Sequence, residues 1–151
     1  MKTLVLGMGN TILSDDGVGI RVAHEVANQL DNPQVTVVET SAAGLSLLDS
    51  IVGYDKVIII DAIQTEKGRT GQTYRMGTAD FSLTKHFSSP HQINLATALE
   101  LGKMLNLAMP REITVFAVEA EDITSFSEKC TPEVEKAIPE VVNMVLGELE
   151  R

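Results

Sequence analysis

The chain has 151 residues, with 21 Asp and Glu against 12 Lys and Arg, giving a formal net charge of −9. Its 44% hydrophobic content is enough for a packed core and too high for a disordered chain, and its length suits one domain over 1–151. The charge argues against a nucleic-acid partner, the single Cys130 excludes an internal disulfide or a Cys-based zinc site, and six aromatics without Trp leave little for base stacking.

In chain order, apolar runs alternate with helical patterns, which predicts an α/β sandwich. Thr3–Leu6 reads as a first strand, β1, stopped by Gly7. Val18, Val22, Val26 and Leu30 recur every fourth residue, the stripe of an amphipathic helix that ends at Asn32-Pro33. Val35–Val38 reads as β2, and Leu45–Val52 as a short helix ended by Gly53. Val57–Ile60 is apolar on both faces, the signature of a central parallel strand, β3, with Asp61 directly after it.

Gln72–Met76 reads as a fourth strand. Only about ten polar residues separate it from β3, too few for a parallel crossover, so an antiparallel edge strand is expected. A helix pattern over Ser89–Leu105 precedes a fifth strand at Ile113–Val118. The chain closes on a helix from Thr131 to Leu149, with Thr131 as N-cap, Pro132 in the first position, and Pro139 expected to kink or restart it. No targeting segment is legible and no apolar stretch approaches a membrane span, so no membrane partner is expected. The lone thiol suits a cytoplasmic location.

The chemistry concentrates in Gly7-Met8-Gly9-Asn10-Thr11-Ile12-Leu13-Ser14-Asp15-Asp16-Gly17-Val18-Gly19. Gly-x-Gly after β1 invites a dinucleotide reading, but Ile12 stands where that fingerprint needs a third Gly. Two carboxylates also occupy the helix start where a pyrophosphate would sit. Asp15-Asp16 suit a helix N-terminus, and one carboxylate is enough for a cap, which leaves the other for chemistry.

Asp61 suits a turn after a strand, yet it also lies beyond the carboxyl end of β3, where open α/β sheets bind ligands. Asp16 lies beyond the carboxyl end of β1, the expected neighbour of β3. In Ser89-Pro90-His91-Gln92, Ser89, Pro90 and Gln92 fit a capping box, and the helix direction carries His91 to the same edge. His24 reads as a solvated helix residue, while His86 lies in the long Gly77–Ser88 loop, from which an approach to the site is the lesser expectation.

Two like charges about 4 Å apart repel by roughly 4 kcal/mol at an effective dielectric of 20. A shared proton or a cation relieves this, and two carboxylates with an imidazole suit a divalent ion such as nickel or zinc.

The set Gly7-x-Gly9-Asn10, Asp15-Asp16-Gly17-x-Gly19, Asp61 and Ser89-Pro90-His91-Gln92 resembles the nickel–iron hydrogenase maturation proteases. The likeness spans nearly the whole chain and includes the Thr131-Pro132-Glu133-Val134 opening of the last helix. It implies a three-layer α/β/α sandwich around a mixed five-stranded sheet whose fourth strand is antiparallel. It also implies an endopeptidase that removes a short C-terminal extension from the hydrogenase large-subunit precursor.

By the same resemblance Asp16, Asp61 and His91 are the metal-contacting and catalytic residues, and Gly9, Asn10 and Glu39 meet the substrate. The nickel would arrive in the precursor instead of being held by the free enzyme. The hydrolytic water would be activated by the metal or by a carboxylate base. Glu39 stands where the family often has Asp, and Glu119-Ala120-Glu121 lacks the family's frequent Pro.

Two rival readings use the same placement of Asp61: a phosphorelay receiver and a small-molecule or nucleotide-binding module. A receiver carries its acidic pair at the strand end and a Lys after the last strand. Asp15-Asp16 come about eight residues late, and Val118-Glu119-Ala120-Glu121 has no Lys. Cys130 reads as a buried structural thiol.

Overall fold

The computed structural model describes residues 1–41, 45–77 and 99–151. Five strands, β1 (Thr3–Met8), β2 (Val35–Thr40), β3 (Lys56–Ile63), β4 (Thr73–Met76) and β5 (Glu112–Glu119), form one sheet in the order β2-β1-β3-β5-β4. The β1–β2, β1–β3 and β3–β5 pairs are parallel, and β4 pairs antiparallel with β5 at the edge. Residues 64–72 are too short a connection for a crossover helix, which is why β4 runs backwards.

Alternation along the central strands builds the layers. Val5, Ile58, Ile60, Phe116 and Val118 face helices α1 (Val18–Gln29) and α4 (Pro132–Leu149), meeting Val22, Val26, Val134, Val141 and Val145. The opposite parity, Leu4, Leu6, Val57, Ile59 and Val115, meets Leu47 and Ile51 of α2 (Leu45–Ile51) and Leu99 of α3, described over residues 99–104. Every residue of β1 and β3 is buried because helices cover both faces.

Several element limits differ from the sequence reading. β1 passes through Gly7 to Met8, since pairing with β2 continues to Met8 and Thr40. β3 continues to Ile63, because β5 is equally long and pairs Asp61, Ala62 and Ile63 with Ala117, Val118 and Glu119. Asp61 therefore lies inside β3, one residue past the last β1 pair, Gly7 with Ile60. The first helix stops at Gln29, with Leu30 already extended. α4 is not restarted at Pro139; the helix continues, and Pro139 lies on its exposed side, where the carbonyl it leaves unpaired can meet water.

At the sheet's amino end, buried Glu148 ties α4 to three strands. Its Oε1 accepts from Arg75 Nη2 at 2.6 Å and Thr114 Oγ1 at 3.1 Å, and Lys56 Nζ donates to its main-chain oxygen at 2.7 Å. Burial works to raise this carboxyl. The hydrogen bonds from Arg75 and Thr114, with the charges of Arg75 and Lys56, outweigh it and hold the pKa below the usual 4.5.

A lowered folded-state pKa contributes stability that is present above the unfolded value and lost as pH falls through the folded one. Thermal midpoints of the wild type and Glu148→Gln, measured from pH 7 down to 3, should differ by several degrees at neutral pH. The gap should narrow as pH falls through the lowered folded-state value. A gap that stays constant across that range would remove Glu148 from the acid sensitivity.

Candidate active site

The site grows from the turn after β1. Gly9 has φ +140°, donates its N–H to the Thr40 oxygen at 3.0 Å, and packs so closely that a Cβ would overlap the carbonyl oxygen of Asp16. Asn10 then forms an Asx turn, its Oδ1 accepting from Ile12 N–H at 3.1 Å, while its main-chain oxygen accepts from Leu13. A 3₁₀ turn, Ser14–Gly17, leads into α1. At Gly19 a Cβ would collide with the carbonyl oxygens of Ile60 and Met8, so the first turn of α1 rests directly on the ends of β1 and β3. These two glycines serve close packing of backbone on backbone.

The adjacent carboxylates have different surroundings. Asp15 is fully buried and accepts from Glu121 N–H at 2.9 Å, Asp122 N–H at 3.1 Å, Thr131 N–H at 2.6 Å and the Thr131 hydroxyl at 2.8 Å. It joins the 3₁₀ turn to the segment between β5 and α4. Asp16 is half-buried, and its Oδ2 accepts from Asn10 N–H at 3.0 Å.

The expected helix-capping role of the pair is corrected: α1 begins at N-cap Gly17 without a side-chain cap. Thr131 does occupy the N-cap position of α4, with Pro132 following, but its hydroxyl serves Asp15 and leaves the helix end without a side-chain cap.

Asp61 is buried, and its Oδ1 accepts from Ala62 N–H at 2.8 Å. It and Asp16 lie at the same carboxyl edge, where the 3₁₀ turn packs against β3. Glu39 stands opposite Gly7 on β2, with its Oε1 3.5 Å from Nδ1 of the exposed His24. Gly9, Asn10 and Glu39 line one cleft of about 250 Å³ with Thr11, Ile20, Thr40 and Ser41. His91 and its neighbours Ser89, Pro90 and Gln92, together with His86, lie outside the described residues.

Among the described residues no three His, Cys, Asp or Glu side chains converge on one point. Asp16 and Asp61 offer two hard oxygen donors at one edge. That donor chemistry fits a divalent ion whose remaining ligands come from elsewhere.

One further feature is invisible to sequence patterning. Buried Glu119 accepts from Thr65 N–H at 2.7 Å, Thr65 Oγ1 at 2.6 Å and Tyr74 OH at 2.9 Å, fastening the loop after β3 to the edge strand. Neither Thr65 nor Tyr74 belongs to a motif that would have signalled this. Cys130 is buried as expected, and burial, the largest influence, pushes its thiol up to about 11, so it stays protonated and is a poor nucleophile.

Fold and site together define a doubly wound α/β protein whose ligand-binding edge presents carboxylates instead of a bare phosphate-binding helix end. Comparison with known proteins narrows the class. The family model for hydrogenase maturation proteases matches residues 20–148. The hydrogenase 2 maturation protease of Escherichia coli K12 is 30% identical, over 99% of this chain and 91% of that protein.

The solved hydrogenase maturating endopeptidase HybD from E. coli superposes with a TM-score of 0.87 at 29% identity, covering 99% of this chain and 93% of that one. The hydrogenase maturation protease HybD from Thermococcus kodakarensis shares the fold, with a TM-score of 0.79 at 22% identity over 97% and 98% of the two chains. This chain belongs to the hydrogenase maturation protease family and is a peptide hydrolase. The receiver and binding-module readings are not favoured.

Proposed function

We propose that this enzyme removes a C-terminal extension from the large-subunit precursor of a nickel–iron hydrogenase, with Asp16, Asp61 and His91 contacting nickel that the precursor carries in. The observation behind this reading is that Asp16 and Asp61 lie at one carboxyl edge, with Asp16 bonded to Asn10 of the cleft that Gly9 and Glu39 also line. Two carboxylates form a partial ligand set, suited to an ion already held by another molecule.

When bound, the ion supplies Lewis-acid polarisation at the bond to be cut. The chain's part is to orient that ion and hold the substrate. Gly9, Asn10 and Glu39 line the cleft that would hold it. The lone buried thiol suits action in a reducing cytoplasm, and no helix among the described residues is long and apolar enough to cross a membrane.

The test is to mix the enzyme with large-subunit precursor prepared with and without nickel and to weigh the product by mass spectrometry. Loss of the C-terminal tail is expected only in the nickel-loaded sample. An intact tail in that sample would sink the reading, and equal cleavage of both would remove nickel from it.

A further inference from the structure

Phe126 is 86% exposed, and Ile12 beside it is 48% exposed. Their backbones are laced together: Ser127 N–H donates to the Ile12 oxygen at 3.0 Å, Ser14 N–H donates to the Ser127 oxygen at 2.9 Å, and Leu13 and Ser127 form a bridge. Ile12 lies two residues after Asn10 and four before Asp16, so the apolar pair stands at the rim of the candidate active site.

The backbone around Phe126 is tied down. Asp122 Oδ1 accepts from Thr124 N–H at 3.0 Å and Ser125 N–H at 2.9 Å, and the Ser127 hydroxyl exchanges hydrogen bonds with the backbone of Lys129 at 3.1 Å. Asp15 holds both ends of the segment, through Glu121, Asp122 and Thr131. A large aromatic side chain held out to solvent on a hydrogen-bonded loop has the pre-organisation of a binding anchor.

Its surroundings are acidic. Glu121, Asp122 and Glu128 share the segment, with Lys129 as its cation. Glu128 also lines a groove of about 860 Å³ between α1 and α4, with Glu25, Glu39 and Glu135 against the cation Arg21 and the imidazole of His24. A second copy of this chain would set acid against acid, so charge complementarity selects a different partner with a basic rim.

We propose that Phe126 and Ile12 form a preformed apolar anchor for the protein substrate. They enter an apolar pocket on that protein bordered by Lys or Arg, outside the cleft where the chain is cut. The proposal rests on the protease reading and concerns docking of the folded substrate.

The test compares wild type, Phe126→Ser and Ile12→Ser, with Met104→Ser as control. Met104 is 77% exposed but ends α3, and the chain that follows it bonds to Gly53 and Asp55, just before the amino end of β3. Processing of nickel-loaded precursor should show KM raised at least tenfold in Phe126→Ser, with kcat within twofold and Met104→Ser unchanged. Affinity for the precursor, read separately in a non-cleaving Asp61→Asn background, should fall by the same factor. It should also weaken as salt rises from 50 to 500 mM.

Cleavage by wild type with no change in KM for Phe126→Ser would overturn the anchor and leave the protease reading standing. Precursor binding that depends on Phe126 without any cleavage would uphold the anchor and sink the protease reading. A wild-type dimer in sedimentation that Phe126→Ser dissolves would assign the patch to self-association and overturn the proposal.

Discussion

Asp61→Asn and Asp16→Asn should each slow precursor processing by on the order of 10³-fold or more, with the thermal midpoint staying within a few degrees of wild type. The substitution is nearly isosteric and keeps an oxygen acceptor at each position. Ala62 N–H reaches a single oxygen of Asp61, and Asn10 N–H reaches a single oxygen of Asp16. An asparagine Oδ1 can accept either bond, so the substitution removes the charge while keeping these acceptors. A carboxylate at a cation site is needed for its charge, whereas a carboxylate that only shapes a turn is needed for its acceptor. Processing at more than a tenth of the wild-type rate in either variant would assign that residue to holding the backbone.

The neighbouring Asp15 should behave in the opposite way. Asp15→Ala removes the acceptor for three backbone N–H groups and one hydroxyl, drawn from Glu121, Asp122 and Thr131. Bonds to a charged group contribute about 1.5–3 kcal/mol each, but they share one side chain and do not add. A total loss of about 3–4 kcal/mol is reasonable for a buried site left with unsatisfied donors. For a chain of this length that lowers the thermal midpoint by roughly 10 °C. Calorimetry of the purified variant decides it: a shift below about 2 °C would mean that water or a neighbour replaces the carboxylate. Any loss of activity in Asp15→Ala should follow the fraction folded, unlike that of Asp16→Asn.

The contrast between Asp15 and Asp16 shows how much of the site could be read from sequence. Spacing alone placed both near the helix start and suggested that one would cap it, whereas neither does. The partners of Asp15 lie 106 to 116 residues away, beyond the reach of any local pattern. The sheet was more legible. The apolar run of β3 and the short connection after it required a central parallel strand and a reversed edge strand, and both are present.

Strand ends were less legible, because β3 extends past Ile60 only while β5 remains beside it, and pairing length is a property of two strands. The position of Thr131 followed from the Pro after it, while the destination of its hydroxyl depended on a tertiary neighbour. Gly9, Asn10 and Glu39, named from the motif and the resemblance, share a cleft because β2 ends beside β1.

The long reach of Asp15 also bears on the order in which the molecule assembles. Its acceptor oxygens meet residues that follow β5, so the turn carrying Asp16 gains its anchor only after the last strand has joined the sheet and α4 has begun. Contacts of such sequence separation form late and slowly. A nascent chain released up to β3 would hold the Gly7–Gly19 segment without that support. The candidate site is therefore complete only once these distant contacts are made, and a chain lacking β5 and α4 presents no finished edge.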